Sequence, residues 1–159
     1  SSFYTYPKAV LTSLKDEGIW LYNKKAYIHQ AGEYSDLIGN TGNYGLTVIA
    51  RKNSNLVKTF NTVEFRADTF INDENTNTQT FDTIKIEDEY NGAMSNHLEY
   101  NPFRPSNLKK LLRTWRANIP RVNKGYWRYT NQWAKVGLWM MNSAKEKTIL
   151  HDLAVWYSV

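Results

Sequence analysis

The chain has 159 residues, enough to bury a core as one domain, and its 42% hydrophobic and 22% charged content is that of a folded protein rather than a disordered one. It contains no cysteine, which excludes disulfides, thiol nucleophiles and cysteine-ligated zinc, and no apolar run is long enough to predict a helical membrane span. The net charge of +5 is unevenly divided: 11 of the 20 Lys and Arg fall between Arg104 and Val159 against only Glu146 and Asp152, giving +9 there and −4 over residues 1–103.

Residues 3–14 read as extended, with Pro7 favouring an edge or an entering segment. Ile19–Tyr22 and Ala26–His29 are short β-type runs joined by Asn23-Lys24-Lys25, which predicts a hairpin. Residues 31–45 hold Gly32, Gly39, Gly42 and Gly45 among Asn and Ser and read as loop. Gly39-Asn40-Thr41-Gly42 lacks the Gly-Lys-Ser/Thr ending and the following helix that a phosphate loop needs. Leu46–Ala50 is an apolar strand, Asn53-Ser54-Asn55 a turn, and Leu56–Phe65 a second strand. Alternation there predicts Val57, Thr59, Asn61, Val63 and Phe65 on one face, with Lys58, Thr62, Glu64 and Arg66 mostly on the other.

Residues 72–80 are polar and read as loop. Asp73, Asn75 and Asn77 imitate the start of a calcium loop, but Thr78 stands where glycine is needed and Ile84 where the closing Glu is needed, so no metal is expected. Phe81–Tyr90 alternates, with Phe81, Thr83 and Lys85 against Ile84, Ile86 and Asp88. Asn91–Asn96 reads as turn, and Pro102 and Pro105 exclude a central strand or helix interior around Phe103 and Arg104. Leu108–Ile119 fits two periods: Leu108, Leu111, Leu112 and Trp115 are helix-spaced, while Trp115, Ala117 and Ile119 fit a strand ending at Pro120. Its β-rich surroundings favour a strand with a bulge. Val136–Met141 and Ile149–Tyr157 are the last strands, the final one with Leu153, Val155 and Tyr157 on one face and Ala154 and Trp156 on the other. About eight to ten short strands with little helix predict an all-β fold, a single antiparallel, jelly-roll-like β-sandwich over residues 1–159. The opening Ser1-Ser2, without Met, reads as part of a longer chain.

No catalytic constellation is visible. His29, His97 and His151 are far apart, and Glu87, Asp88 and Glu89 alternate faces in a strand instead of pairing. No Gly-x-Ser-x-Gly or His-Glu-x-x-His occurs, so neither an enzyme nor a cofactor is expected. The basic aromatic third carries more chemistry. Arg113, Arg116, Arg121, Tyr126, Trp127, Arg128, Tyr129 and Trp133 are the candidate binding residues, combining guanidinium groups with rings. Such a set suits an assembly interface, stacking on sugar faces, or a single-stranded nucleic-acid groove, while Trp115, Trp139 and Trp156 read equally as core residues.

Lys58-Thr-Phe-Asn-Thr-Val-Glu-Phe-Arg-Ala (58–67), Thr80-Phe-Asp-Thr-Ile-Lys-Ile-Glu-Asp-Glu-Tyr-Asn (80–91), Arg113-Thr-Trp-Arg-Ala-Asn-Ile-Pro-Arg (113–121) and Leu150-His-Asp-Leu-Ala-Val-Trp-Tyr (150–157) follow one another in an order that resembles the C-terminal part of the tail stabilisation or muzzle-type virion structural proteins of crAss-like tailed phages. One departure is Gly125-Tyr-Trp-Arg-Tyr-Thr-Asn-Gln-Trp (125–133), where the family pattern has a run of Arg and Asp. The resemblance implies a non-enzymatic virion module. It would work through contacts with other tail proteins and a homo-oligomeric ring, in the particle and in the host cytoplasm during assembly. A glycan remains a possible partner, and nucleic acid a less favoured one.

Overall fold

In a computed structural model of the chain, the described residues form strands and no helix. The structure describes residues 42–122, 127–141 and 146–159 in full, and residues 10–14, 17–22, 25–28, 36–37 and 40–41 as backbone. Among the latter, β1 (Val10–Leu14), β2 (Glu17–Tyr22) and β3 (Lys25–Ile28) form an antiparallel meander, and Tyr22 opposite Lys25 closes the expected hairpin. β4 (Asp36–Leu37) and β5 (Asn40–Thr41) form a small ribbon inside the segment read as loop.

Two larger antiparallel sheets make the sandwich. The first contains β6 (Tyr44–Ala50), β9 (Thr83–Glu87), β10 (Gly92–Met94) and β14 (Ala134–Met140), in the order β10-β9-β14-β6. The second is organised on the long strand β7 (Lys58–Ile71). Along one edge of β7 runs β15 (Glu146–Ser158). The other edge takes in succession β13 (Thr130–Asn131), β12 (Thr114–Asn118) and β8 (Glu74–Thr76), with β11 (Leu108–Leu111) outside β12. The inner faces bring Phe60, Val63, Phe65 and Ala67 of β7 into one buried cluster with Ile84, Ile86, Val136 and Leu138 of the first sheet. Each Val, Leu, Ile or Phe among them, fully removed from water, contributes about 1.5–3 kcal/mol. Phe65 meets Phe81 edge-on at 5.8 Å. β15 alternates as its sequence predicts: Leu153, Val155 and Tyr157 pack on the core, whereas Ala154 and Trp156 face water.

β7 departs from simple alternation. Trp156 lies opposite Thr62 but Tyr157 opposite Phe60, so Asn61 is an extra residue in the ladder. One inserted residue reverses the phase of the pleat. Lys58 and Phe60 therefore join the buried side of Val63 and Phe65, while Thr59 and Asn61, expected on that side, remain partly exposed. A second irregularity, at His151, interrupts the same pair of strands.

Three segments read as loop, turn or bulged strand are hairpins. Within residues 72–80, Ile71 pairs with Glu74 around Asn72 and Asp73, whose φ values of 51° and 63° make a type I′ turn. Residues 92–94 pair with β9 as β10. In 108–119, Leu111 pairs with Thr114, and Leu112, at φ 56°, turns the chain where a bulge was expected. On the outer face of the first sheet, the Trp139 indole lies over two glycines. A Cβ at Gly45 would stand 2.6 Å from that ring and 2.5 Å from Leu138 O, and one at Gly137 would stand 2.6 Å from Trp139 Nε1. Lys85 Nζ covers the ring at 4.5 Å.

Candidate functional site

The eight candidate residues do not converge. Arg113 is exposed in the β11–β12 turn, and Arg116 points from β12 to the outer face, where it meets Glu64 at 3.3 Å. Arg121 is exposed just past Pro120. Trp127 is 65% exposed and forms a bridge with Val122, while Arg128 donates to Asn61 Oδ1 at 3.4 Å. Trp133 is half-buried beside Ile49, Arg51, Glu89 and Lys135. Tyr126 lies outside the described residues. Tyr129 is 2% exposed, so its ring cannot serve as a contact surface. Its carbonyl accepts from Phe60 N at 2.9 Å, which continues the β13–β7 ladder and turns the ring inward against Phe60 at 6.3 Å. Of the three tryptophans read equally as core, Trp115 is 1% exposed, Trp139 lies half-buried on the outer face, and Trp156 is exposed.

What the fold does assemble is a lateral groove of about 900 Å³ between the β10 side of the first sheet and the β11–β12 side of the second. Its cations are Lys109, Arg116 and Arg121, and Asn96, Asn107 and Asn118 add side-chain amides; no carboxylate lines it. The register explains the clustering, because Lys109 lies directly opposite Arg116 in the hairpin. Like charges directly opposite repel. Glu64, on the next strand, offsets this for Arg116, whereas Lys109 and Arg121 have no ionic partner among the described residues. Asn107 braces the wall: its Nδ2 donates to His97 O and its Oδ1 accepts from Glu99 N, both at 2.8 Å. Basicity alone pointed to Arg116 and Arg121. Lys109 and the amides come from segments whose meeting no local pattern announces.

At one end of the first sheet, the end of β9 and the loop to β10 carry Glu87, Asp88 and Glu89, with Lys135 of β14 directly opposite Glu87 and Arg51 near Glu89. Glu87 and Glu89 are exposed and Tyr90 is 84% exposed at its tip. Asp88 holds the loop: its Oδ1 accepts from the Tyr90 and Asn91 amides at 2.7 and 2.8 Å, and its Oδ2 accepts from Asn131 Nδ2 at 2.5 Å. The Tyr129 hydroxyl donates to Asn91 O at 3.0 Å, and burial followed by the Asp88 charge raises its pKa. Burial also pushes the Asp88 carboxyl up. The Tyr129 hydroxyl, the two loop amides and Asn131 outweigh it and hold the pKa below the usual carboxylate value. A depressed carboxylate stabilises the folded state above the unfolded-chain pKa of about 3.9 and loses that contribution as pH falls through the folded value. Asp88→Ala is therefore expected to cost about 1–2 kcal/mol at pH 7 and less at pH 3, below the unfolded-chain pKa of about 3.9. Urea titrations at both pH values measure the difference, and an equal loss at both would show that the ionised form is not what matters.

The outer face of the second sheet bears charged pairs. Arg66 Nε donates to Asp152 Oδ2 at 2.6 Å, and His151 Nε2 is 2.7 Å from Asp68 Oδ2. These hydrogen bonds, first His151 on Asp68 and first Arg66 on Asp152, lower the carboxyl pKa values. Among the described residues no three His, Cys, Asp or Glu side chains gather as a metal site. The exposed rings of Tyr90, Phe103, Trp127 and Trp156 belong to separate segments, which gives no support to a glycan-stacking row.

Residues 32–122 match the family described as the Crassvirus muzzle protein C-terminal domain, a stretch that includes both the cationic groove and the acidic loop. Over 131 residues the chain is 37% identical to the Muzzle protein of Bacteroides phage crAss001, and the alignment covers 80% of this chain and 9% of that protein. The chain thus spans a small part of the length of the curated relative it matches.

Proposed function

The chain belongs to the crassvirus muzzle protein C-terminal domain family, and from that premise we propose that it is a non-enzymatic structural module of a phage tail, acting in virion assembly through contacts between subunits. The observation that carries this reading is the separation of charge. A groove lined by no Asp or Glu and bearing Lys109, Arg116 and Arg121 lies along one side of the sandwich, while exposed Glu87 ends β9 and exposed Glu89 stands on the loop after it. Donor and acceptor are different patches. Their engagement between copies is heterologous, the kind of contact that closes into a ring when the rotation permits. Complementary charge at such a rim sets orientation and speeds encounter more than it adds affinity. The module would then act in the virion, and in the host cytoplasm while the tail is built.

Charge reversal tests the reading in the full polypeptide that carries the domain. Lys109→Glu with Arg121→Glu, and separately Glu87→Lys with Glu89→Lys, are each expected to weaken self-association about 10-fold or more at low salt, and combining the two sets should recover most of it. Sedimentation velocity of the four proteins measures this. A combined variant no better than the product of its parts would sink the groove–loop contact.

A further inference from the structure

The side of the sandwich opposite the cationic groove is built differently. There β6 and β15 are the outermost strands of their sheets: among the described residues β6 pairs only with β14, and β15 only with β7. The two edges meet at one end, where Tyr44 Oη and Thr148 Oγ1 are 2.9 Å apart. Toward the other end they part over an apolar groove of about 350 Å³, with Val48 and Ala50 on one wall and Leu153, Val155 and Tyr157 on the other.

A free strand edge is a template for pairing, and proteins guard such edges with charge, proline, bulges or brevity. β15 carries Glu146, Lys147, His151 and Asp152 and is broken by two irregularities. β6 has none of these guards. Its sequence, Tyr-Gly-Leu-Thr-Val-Ile-Ala, is uncharged and free of proline, and its register with β14 is unbroken over all 7 residues. Ile49, on its outward face, is 64% exposed.

We propose that β6 is an interface with a second copy of this chain, pairing antiparallel with the same strand about a two-fold axis at Thr47. The strand is complementary to itself in that register. On the inward face, Leu46 comes opposite Val48 of the second copy, and Tyr44 opposite Ala50. On the outward face Gly45 meets Ile49 and Thr47 meets Thr47. No charge opposes a like charge, every apolar residue of the inward row gains an apolar neighbour, and the largest side chain is set beside the smallest. Tyr44 of the second copy also arrives at the Ala50 end, where the apolar groove opens. Antiparallel pairing is what a closed pair requires, because a two-fold axis normal to the sheet reverses the strand. The result is one sheet running through two copies. The contact uses the side away from the cationic groove and stands whether or not that groove binds a neighbour.

The absence of cysteine makes the test clean. In an antiparallel pair, directly opposite Cα atoms lie about 4.5–5.5 Å apart, within the range a disulfide spans. Thr47→Cys in the full polypeptide is therefore expected to give disulfide-linked homodimers under mild oxidation, and Asn77→Cys, exposed on a different segment, is expected not to. Thr47→Lys places two ammonium groups face to face and should raise the dissociation constant about 5-fold by sedimentation, with an unchanged far-ultraviolet circular dichroism spectrum. Both substitutions lie on the exposed face, and the spectrum shows whether each variant is folded. A Thr47→Cys protein that remains monomeric, or association indifferent to Thr47→Lys, would overturn the proposal. A strand from residues 1–41, or from a different virion protein, seated on the edge would give the first of those results.

Discussion

Lys58→Met is expected to destabilise the domain by about 2–4 kcal/mol, although Met is the apolar residue closest to lysine in length. Lys58 is 1% exposed. Its ammonium donates to Asn53 O at 2.8 Å, Leu56 O at 3.0 Å and Gln132 O at 2.5 Å, and lies 5.6 Å from the Tyr157 ring centroid. Each of its donors is thus matched to a carbonyl, and those carbonyls belong to two different connections: the loop between β6 and β7, and the residue following β13. Methionine fills the volume but leaves three acceptors without their donor. Hydrogen bonds to a charged group contribute about 1.5–3 kcal/mol each. The total stays below the sum because loop carbonyls can turn back to water. Lys58→Arg keeps the charge but forces a planar fork into a site shaped for a point charge, so it should lose stability too. Urea unfolding with an unchanged m-value is the measurement. A Lys58→Met protein as stable as the parent would show that the ammonium does not pin these loops.

This lysine also shows where legibility in the sequence stops. Strand count, turn residues and the Leu153-Val155-Tyr157 alternation are local signals, and from them the antiparallel sandwich is correctly inferred. The inward position of Lys58 is not local. It follows from the extra residue at Asn61, which appears only once β15 is laid against β7. Turns behave similarly. Asn72-Asp73 has the residue types a left-handed turn tolerates, yet it lies in a polar run that obscures the hairpin. Leu112 offers no signal at all, since a leucine at φ 56° is held there by the pairing on either side. For the candidate site, charge composition pointed to the last third of the chain, and the groove takes Lys109, Arg116 and Arg121 from it and Asn96 from outside it. Exposure then separated Tyr129, drawn inward by the β13–β7 ladder, from Arg121 and Trp127. The amides of Asn96, Asn107 and Asn118 came together only through the fold.

Trp115→Ala is expected to cost about 3–5 kcal/mol, the loss typical of a large aromatic truncated inside a packed core. In sequence this residue sits between Arg113 and Arg116 and could equally stack on a ligand. In the fold it is 1% exposed, directly across from Phe65 on β7. Tyr100 meets its ring edge-on at 5.4 Å, Lys110 Nζ lies 4.5 Å from the ring, and its Nε1 donates to Ala67 O at 3.3 Å. Lys110 in turn donates to Asn77 O at 2.7 Å, so the indole supports contacts reaching from the β11–β12 hairpin to the segment after β8. Truncation removes all of these and leaves a void that the sheets on either side can close only in part. Trp115→Phe keeps the edge-on contact and most of the buried area and loses one long hydrogen bond, which predicts a milder loss of about 1–2 kcal/mol. The pair of variants separates packing from recognition. If the ring is core, thermal stability falls in the order parent, Phe, Ala, while the residual folded fraction associates with unchanged affinity. Loss of association at full stability would return Trp115 to the surface and contradict its burial in the core.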